Sequence, residues 1–163
     1  MSAKEPSGEI GLLLHLLDEA FDRTAWHGPN LFGSVRRLGA GEAAARPGAG
    51  RHSVQEIVLH CAYWKYAVRR KLTGGKRGSF PLTGSNWFAR EGGAARAAWP
   101  ADRALLRREH EALRAAVAAF PARKLRSRAP ASRNSYLRLI AGAAAHDLYH
   151  AGQVRLIRRL VSG

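Results

Sequence analysis

His146-Asp147-Leu148-Tyr149-His150-Ala151-Gly152-Gln153 is the stretch on which the reading of this chain turns. Its two histidines stand four positions apart inside a run of helical periodicity. On a helix, residues i and i+4 lie one above the other on the same face. Two imidazoles placed this way can grip one metal ion. With seven histidines in 163 residues, chance alone supplies about 0.3 pairs at this spacing, so the pair needs support from elsewhere in the chain. Two core histidines hydrogen-bonded to backbone or side chains are the simpler alternative.

The stretch sits within a helix predicted over about 134–161. Leu139, Ala143, His146, His150, Gln153, Ile157 and Leu160 step by fours and threes, which predicts an inward stripe carrying both histidines. A second helix opens at Ser53-Val54-Gln55-Glu56, a capping box in which the Ser53 hydroxyl and the Glu56 carboxylate satisfy each other's backbone amides. Its predicted inner face is Ile57, His60 or Cys61, Trp64, Val68 and Leu72. Arg69, Arg70 and Lys71 fall near its C-terminus, where the helix dipole favours cations, and Gly74-Gly75 ends it. His60 is thus a third histidine on a facing inward stripe. Metal sites in helical bundles are built from facing helices. Three neutral imidazoles leave coordination positions open, as a catalytic metal needs. Imidazole suits zinc, nickel, iron or copper.

The remaining elements are also helical in period. Residues 8–24 carry Leu12, Leu13, Leu16, Leu17, Ala20 and Phe21, and end before the breaker at 26–30. Residues 30–38 predict a short helical piece, and 41–46 a further turn. Residues 74–99 hold Gly74, Gly75, Gly78, Pro81, Gly84, Gly92 and Gly93, with Phe80, Trp87, Phe88 and Trp99 between them. The aromatics argue for a folded flap over one end of the core. A third long helix is predicted over about 101–120, followed by Pro121 and a basic linker over 121–133. No segment has strand period and no repeat is present. The expected fold is all-α: an antiparallel four-helix bundle with a long crossover loop between the second and third long helices. It is expected as one domain over 1–163, with its core at about 8–161.

Hydrophobic residues make up 46% and charged residues 24% of the chain, which is ordinary for a globular domain. No apolar run is long enough to span a bilayer. The N-terminal residues lack the layout of a secretory leader, and the single cysteine, Cys61, excludes an internal disulfide. Both point to the cytoplasm. The net charge is +15, and Arg outnumbers Lys 22 to 5. Residues 123–163 hold nine Lys or Arg against one acid, Asp147. Such a face attracts nucleic acid or an anionic substrate, although a solvated Arg-rich surface needs no partner. No zinc-finger spacing, basic zipper or RNA-binding aromatic motif accompanies it.

The histidine stretch resembles the C-terminal signature of the DinB superfamily, the DinB/YfiT-like metalloenzymes, which are distinct from the polymerase sharing that name. His52-Ser53-Val54-Gln55-Glu56-Ile57-Val58-Leu59-His60-Cys61-Ala62-Tyr63-Trp64 resembles the family's second-helix pattern. Trp26-His27-Gly28 and Arg46-Pro47 resemble a subgroup of it. The similarity runs from about 10 to 161. It implies a four-helix bundle, frequent homodimers, and one divalent transition metal (Zn, Ni, Fe or Mn) on His60, His146 and His150. It also implies a cofactor role for a low-molecular-weight thiol, since characterised relatives are thiol-dependent transferases and isomerases. The expected function is therefore metal-assisted thiol transfer to a small electrophile. A metal-dependent hydrolase, a non-catalytic metal or ligand binder, and a nucleic-acid-associated stress protein are the alternatives. No membrane partner is expected.

Further candidates flank the three histidines. Glu56, one turn before His60, is a ligand or base, or simply the capping-box acid. Gln153, one turn past His150, bonds a ligand or substrate, or a neighbouring helix. Asp147 orients an imidazole, or turns off the histidine face toward solvent or another helix. Tyr149 and Trp64 line a pocket or pack in the core. Cys61 is a ligand, a nucleophile or an inert buried thiol. His15, His27, His52 and His110 have no partner at ligand spacing and are expected on the surface.

Overall fold

The computed structural model of the chain describes residues 8–162. Residues 1–7, read above for a leader, lie outside the described residues. The elements are α1 (Glu9–Phe21), α2 (Leu31–Val35), α3 (Ala40–Ala44), α4 (Val54–Thr73), α5 (Gly92–Ala118), a 3-10 turn (Ala122–Lys124) and α6 (Tyr136–Ser162). Among the described residues there is no strand, only an isolated bridge between Arg128 and Ser135. The protein is all-helical. α4 packs on α5, α5 on α1, α1 on α6 and α6 back on α4, so the four long helices close a ring. The short α2 lies against α6, and α3 against α5 and α4.

α4 is the central element, because nearly its whole first half is buried. The Ser53 hydroxyl accepts from the Glu56 amide, and the Glu56 carboxylate accepts from the Ser53 amide. Gly74 ends the helix at φ 70°, a left-handed position that glycine adopts without a Cβ clash. α1 buries Ile10, Leu13, Leu14, Leu17, Ala20 and Phe21. Leu12 and Leu16, expected inward, are exposed instead. A leucine-rich run offers two helical stripes, and the one continued by Ile10 and Leu14 packs. Fully buried side chains such as Leu17, Phe21 and Leu106 each contribute about 1.5–3 kcal/mol.

Two differences from the sequence expectation bear on the site. α5 starts at Gly92, ahead of the expected 101, and Pro100 lies inside it. Pro100 has no N–H for the Arg96 carbonyl, a local penalty. Tertiary anchors outweigh it: Trp99 is buried and donates from Nε1 to the Leu38 carbonyl at 2.9 Å, while Arg90 and Gln55 both donate to buried Asp102.

The second difference is the rotation of α6. Its buried seam is Ile140, Ala143, Ala144, Asp147, His150, Ala151, Val154 and Ile157. This turns the expected stripe by about one position. Asp147 faces the core, His146 is half-buried on the shoulder, and Leu160 is exposed. Burying Asp147 is tolerated because Lys65 of α4 meets it, and each is only 1% exposed.

Candidate metal centre

His60 reaches the site from α4, and His146 and His150 from α6. The Nε2 of His146 stands 3.1 Å from the Nε2 of His60 and 3.1 Å from the Nε2 of His150. Ligand nitrogens held about 2.0–2.1 Å from a tetrahedral zinc ion stand about 3.3 Å apart, so the spacing is that of a ligand set.

The opposite ring nitrogens fix the protonation pattern. The Asn86 carbonyl, 2.9 Å from His60 Nδ1, can only accept, so Nδ1 carries the proton. Gln153 Nε2 donates to the Tyr149 hydroxyl at 3.0 Å, which leaves Gln153 Oε1 to accept from His150 Nδ1 at 2.7 Å. In neutral imidazoles both Nε2 atoms are then bare acceptors. Any proton on His146 Nε2 serves only one of its two contacts. Three nitrogens converging with at most one proton among them form an arrangement that a shared cation satisfies.

The electrostatics agree. Burial, followed by the neighbouring His150, His60 and Lys65, lowers the His146 pKa to about 3. Burial and then His60 lower His150 to about 4. Burial also lowers His60, against the pull of the Asn86 bond. All three are neutral at physiological pH, the state in which imidazole binds metal.

The chain connecting α4 to α5 supplies the site's roof. Asn86 adopts φ 66°, a left-handed conformation that asparagine tolerates better than most residues. That turn aims its carbonyl at His60 and its side-chain oxygen at Trp64 Nε1, 2.9 Å away. Trp64, expected inward, is thereby held at the surface with 42% exposure. Trp87 stacks between two imidazoles, 3.9 Å from His60 and 3.7 Å from His52. The histidines open onto a cleft of about 860 Å³, walled by Ile57, Trp87, Tyr149, Leu156, Ile157 and Leu160, with Arg51 and His52 at one side.

The other candidates separate clearly. Both Glu56 oxygens are filled: Oε2 by the Ser53 amide and His52, Oε1 by Arg46 at 2.6 Å and by the Arg90 amide. Burial raises its pKa, but these donors outweigh burial and hold it below the usual carboxylate value. Glu56 is a structural hub. Gln153 lies against His150, and Tyr149 lines the cleft. Asp147 bonds Lys65 and no histidine. Cys61, His146 and Asp147 also lie within 4.8 Å of one another, but Cys61 is fully buried, and burial and then Asp147 push its thiol pKa well up. Cys61 is neither a good ligand nor a nucleophile in that state.

His15 and His27 are exposed and do not line the cleft. His52 lines it, and His110 is buried, stacked 3.6 Å from Phe21 with Lys65 Nζ 3.3 Å away. His52 is exposed as expected, and only His110 differs from the expected surface placement. His110 falls on the packed side of α5, and His52 stacks on Trp87 at the rim of the cleft while staying exposed. The sequence marks Trp87 only as an aromatic of the flap and does not mark Asn86 or Lys65 at all, because no periodicity singles out a loop residue and a lysine normally signals solvent.

On the far side of α6, Arg155, Arg158, Arg159 and Ser162 line a surface recess, and no carboxylate pairs with these arginines among the described residues. No helix among the described residues is long and apolar enough to cross a membrane.

A family model described as DinB superfamily matches residues 13–154, a span that includes all three histidines. No curated protein and no solved structure gives a significant match. The matched span covers most of the sequence, and the chain belongs to the DinB superfamily.

Proposed function

We propose that this chain is a metal-dependent enzyme built as an antiparallel four-helix bundle, and that it transfers a small thiol to a small electrophile. His60, His146 and His150 would hold one divalent transition metal through Nε2. The observation that carries this reading is the convergence of three Nε2 atoms, two of them stripped of protons by the Asn86 carbonyl and Gln153. A divalent cation bound there lowers the pKa of a coordinated thiol and so supplies a thiolate at neutral pH.

The chain's own residues set the rest of the chemistry. Asn86 and Gln153 keep two rings turned toward a common point. Trp87 and the Leu156, Ile157 and Leu160 wall offer one apolar side of the cleft, open to solvent in the free protein, to receive an apolar group. Among the described residues Arg51 lines the cleft without an acid partner and no acid lines it, so the cleft favours an anionic substrate. Cys61 is buried with its thiol pKa pushed up, so on this reading the attacking sulfur is that of an external thiol.

The test uses metal-loaded protein, a panel of low-molecular-weight thiols and a chromogenic electrophile. The thiol gives its proton to solvent, the new carbon–sulfur bond replaces the bond from the electrophilic carbon to its leaving group, and absorbance follows the product. Activity that depends on both thiol and metal supports the reading. Activity that persists after chelation, or turnover of an ester substrate without any thiol, contradicts it.

A further inference from the structure

Two of the three histidines have a protein group behind them, and the third does not. His60 Nδ1 donates to Asn86 and His150 Nδ1 to Gln153. His146 Nδ1 makes no hydrogen bond with any described residue. Beside it, Asp147 presents a second irregularity. Its Oδ2 accepts from Lys65, but its Oδ1 is buried with no donor. A buried carboxylate oxygen without a donor is costly, and ordered water is the usual remedy.

The two irregularities are neighbours. A ring nitrogen of His146 and a carboxylate oxygen of Asp147 lie within 4.8 Å of each other. His146 Nε2 is turned to the other two histidines, and we take Nδ1 as the nitrogen that approaches Asp147. Two groups bridged by a single water stand about 4.5 Å apart. A cavity of about 290 Å³ lies against both residues, with Lys65, Leu139 and Ala143 among its walls. A water molecule takes up about 30 Å³ of liquid volume, so there is room for it.

We infer that Asp147 is the positioning residue for His146. It acts through a water in this cavity that accepts from His146 Nδ1–H and donates to Asp147 Oδ1. Lys65 fixes the carboxylate that anchors the water. The bridge keeps the proton on Nδ1 and the Nε2 lone pair toward the cleft, completing for His146 what Asn86 and Gln153 do for its two partners. This inference rests on the metal-binding reading above. It also gives the buried Lys65–Asp147 pair a role that a leucine pair could not fill.

The decisive experiment is NMR of zinc-loaded protein labelled with 15N-histidine. Expected are a protonated His146 Nδ1, a metal-bound Nε2, and a cross-peak from the Nδ1 proton to a bound water. A His146 that carries its proton on Nε2, or an Nδ1 proton with no water contact, overturns the inference. Lys65→Met combined with Asp147→Leu removes the anchor while replacing both charges by apolar groups. Ala143→Val narrows the cavity without touching the charge pair. Zinc affinity is expected to fall about 10–100-fold in the first and in the same direction in the second. Folded variants that bind zinc as the native chain does overturn the role of Asp147 alone. A native chain that takes up no metal overturns the metal-binding reading itself.

Discussion

The indole of Trp87 lies flat on the imidazole of His60, with ring centroids 3.9 Å apart and planes 12° apart. Trp87 sits in the connection between α4 and α5, and its other face carries His52. The loop therefore braces a histidine from the side while Asn86 braces it from behind. Replacing the ring tests how much this matters. Trp87→Ala is expected to weaken metal binding about 10-fold, and Trp87→Phe to recover most of the loss. Competition with a chromophoric chelator measures both.

Gln153 is joined to His150 by its side-chain oxygen. Gln153→Leu removes that acceptor and frees the ring to rotate or change tautomer. Metal affinity is expected to fall about 10-fold, with little change in unfolding midpoint, because the side chain is only half-buried. Gln153→Glu restores an acceptor, and affinity should return. Loss of stability without loss of affinity would place Gln153 outside the site.

Glu56 separates a structural acid from a ligand. Its carboxylate closes the α4 capping box and meets Arg46, His52 and the Arg90 amide. Glu56→Ala is expected to destabilise the fold by about 3 kcal/mol, by loss of the cap and of a mostly buried ion pair. Urea denaturation reads that change. Metal content per folded chain should not move; a proportional loss of metal would make Glu56 a ligand.

The buried histidines make the metal-free protein sensitive to acid. Burial, and then the charge of Lys65, lowers the His110 pKa from 6.5 to about 2, and His146 and His150 are lowered to about 3 and about 4. Between those values and 6.5 the unfolded chain binds protons that the native chain refuses. The stability they contribute is complete above pH 6.5 and is lost progressively as pH falls, down to about 4 for His150, about 3 for His146 and about 2 for His110. Each contributes a slope of up to about 1.4 kcal/mol per pH unit. Denaturation of apo protein at pH 7 and pH 5 should show the loss, and His110→Asn should lessen it. An unchanged midpoint over that interval would contradict the neutral, buried state.

Local signals were the most legible part of the chain. The Ser53–Glu56 capping box and the Gly74 terminus depend on residues within one helical turn, and both stand where the sequence placed them. The three histidines were legible because their spacing is helical and the family pattern repeats it. What the sequence hid depends on distant partners. The rotation of α6 turns on Asp147, whose burial requires Lys65, 82 residues away. The early start of α5 turns on Trp99 reaching Leu38 and on Asp102 meeting Arg90. Asn86 and Trp87 lie in a connection without periodicity, so nothing local marks them as the supports of His60.

Metal analysis of untagged protein, purified without chelator and from metal-replete medium, tests the central claim most directly. The three converging Nε2 atoms predict about one divalent transition-metal ion per chain, abolished in His60→Ala, His146→Ala and His150→Ala variants that still fold. A native chain without metal, or variants that keep it, would contradict the account.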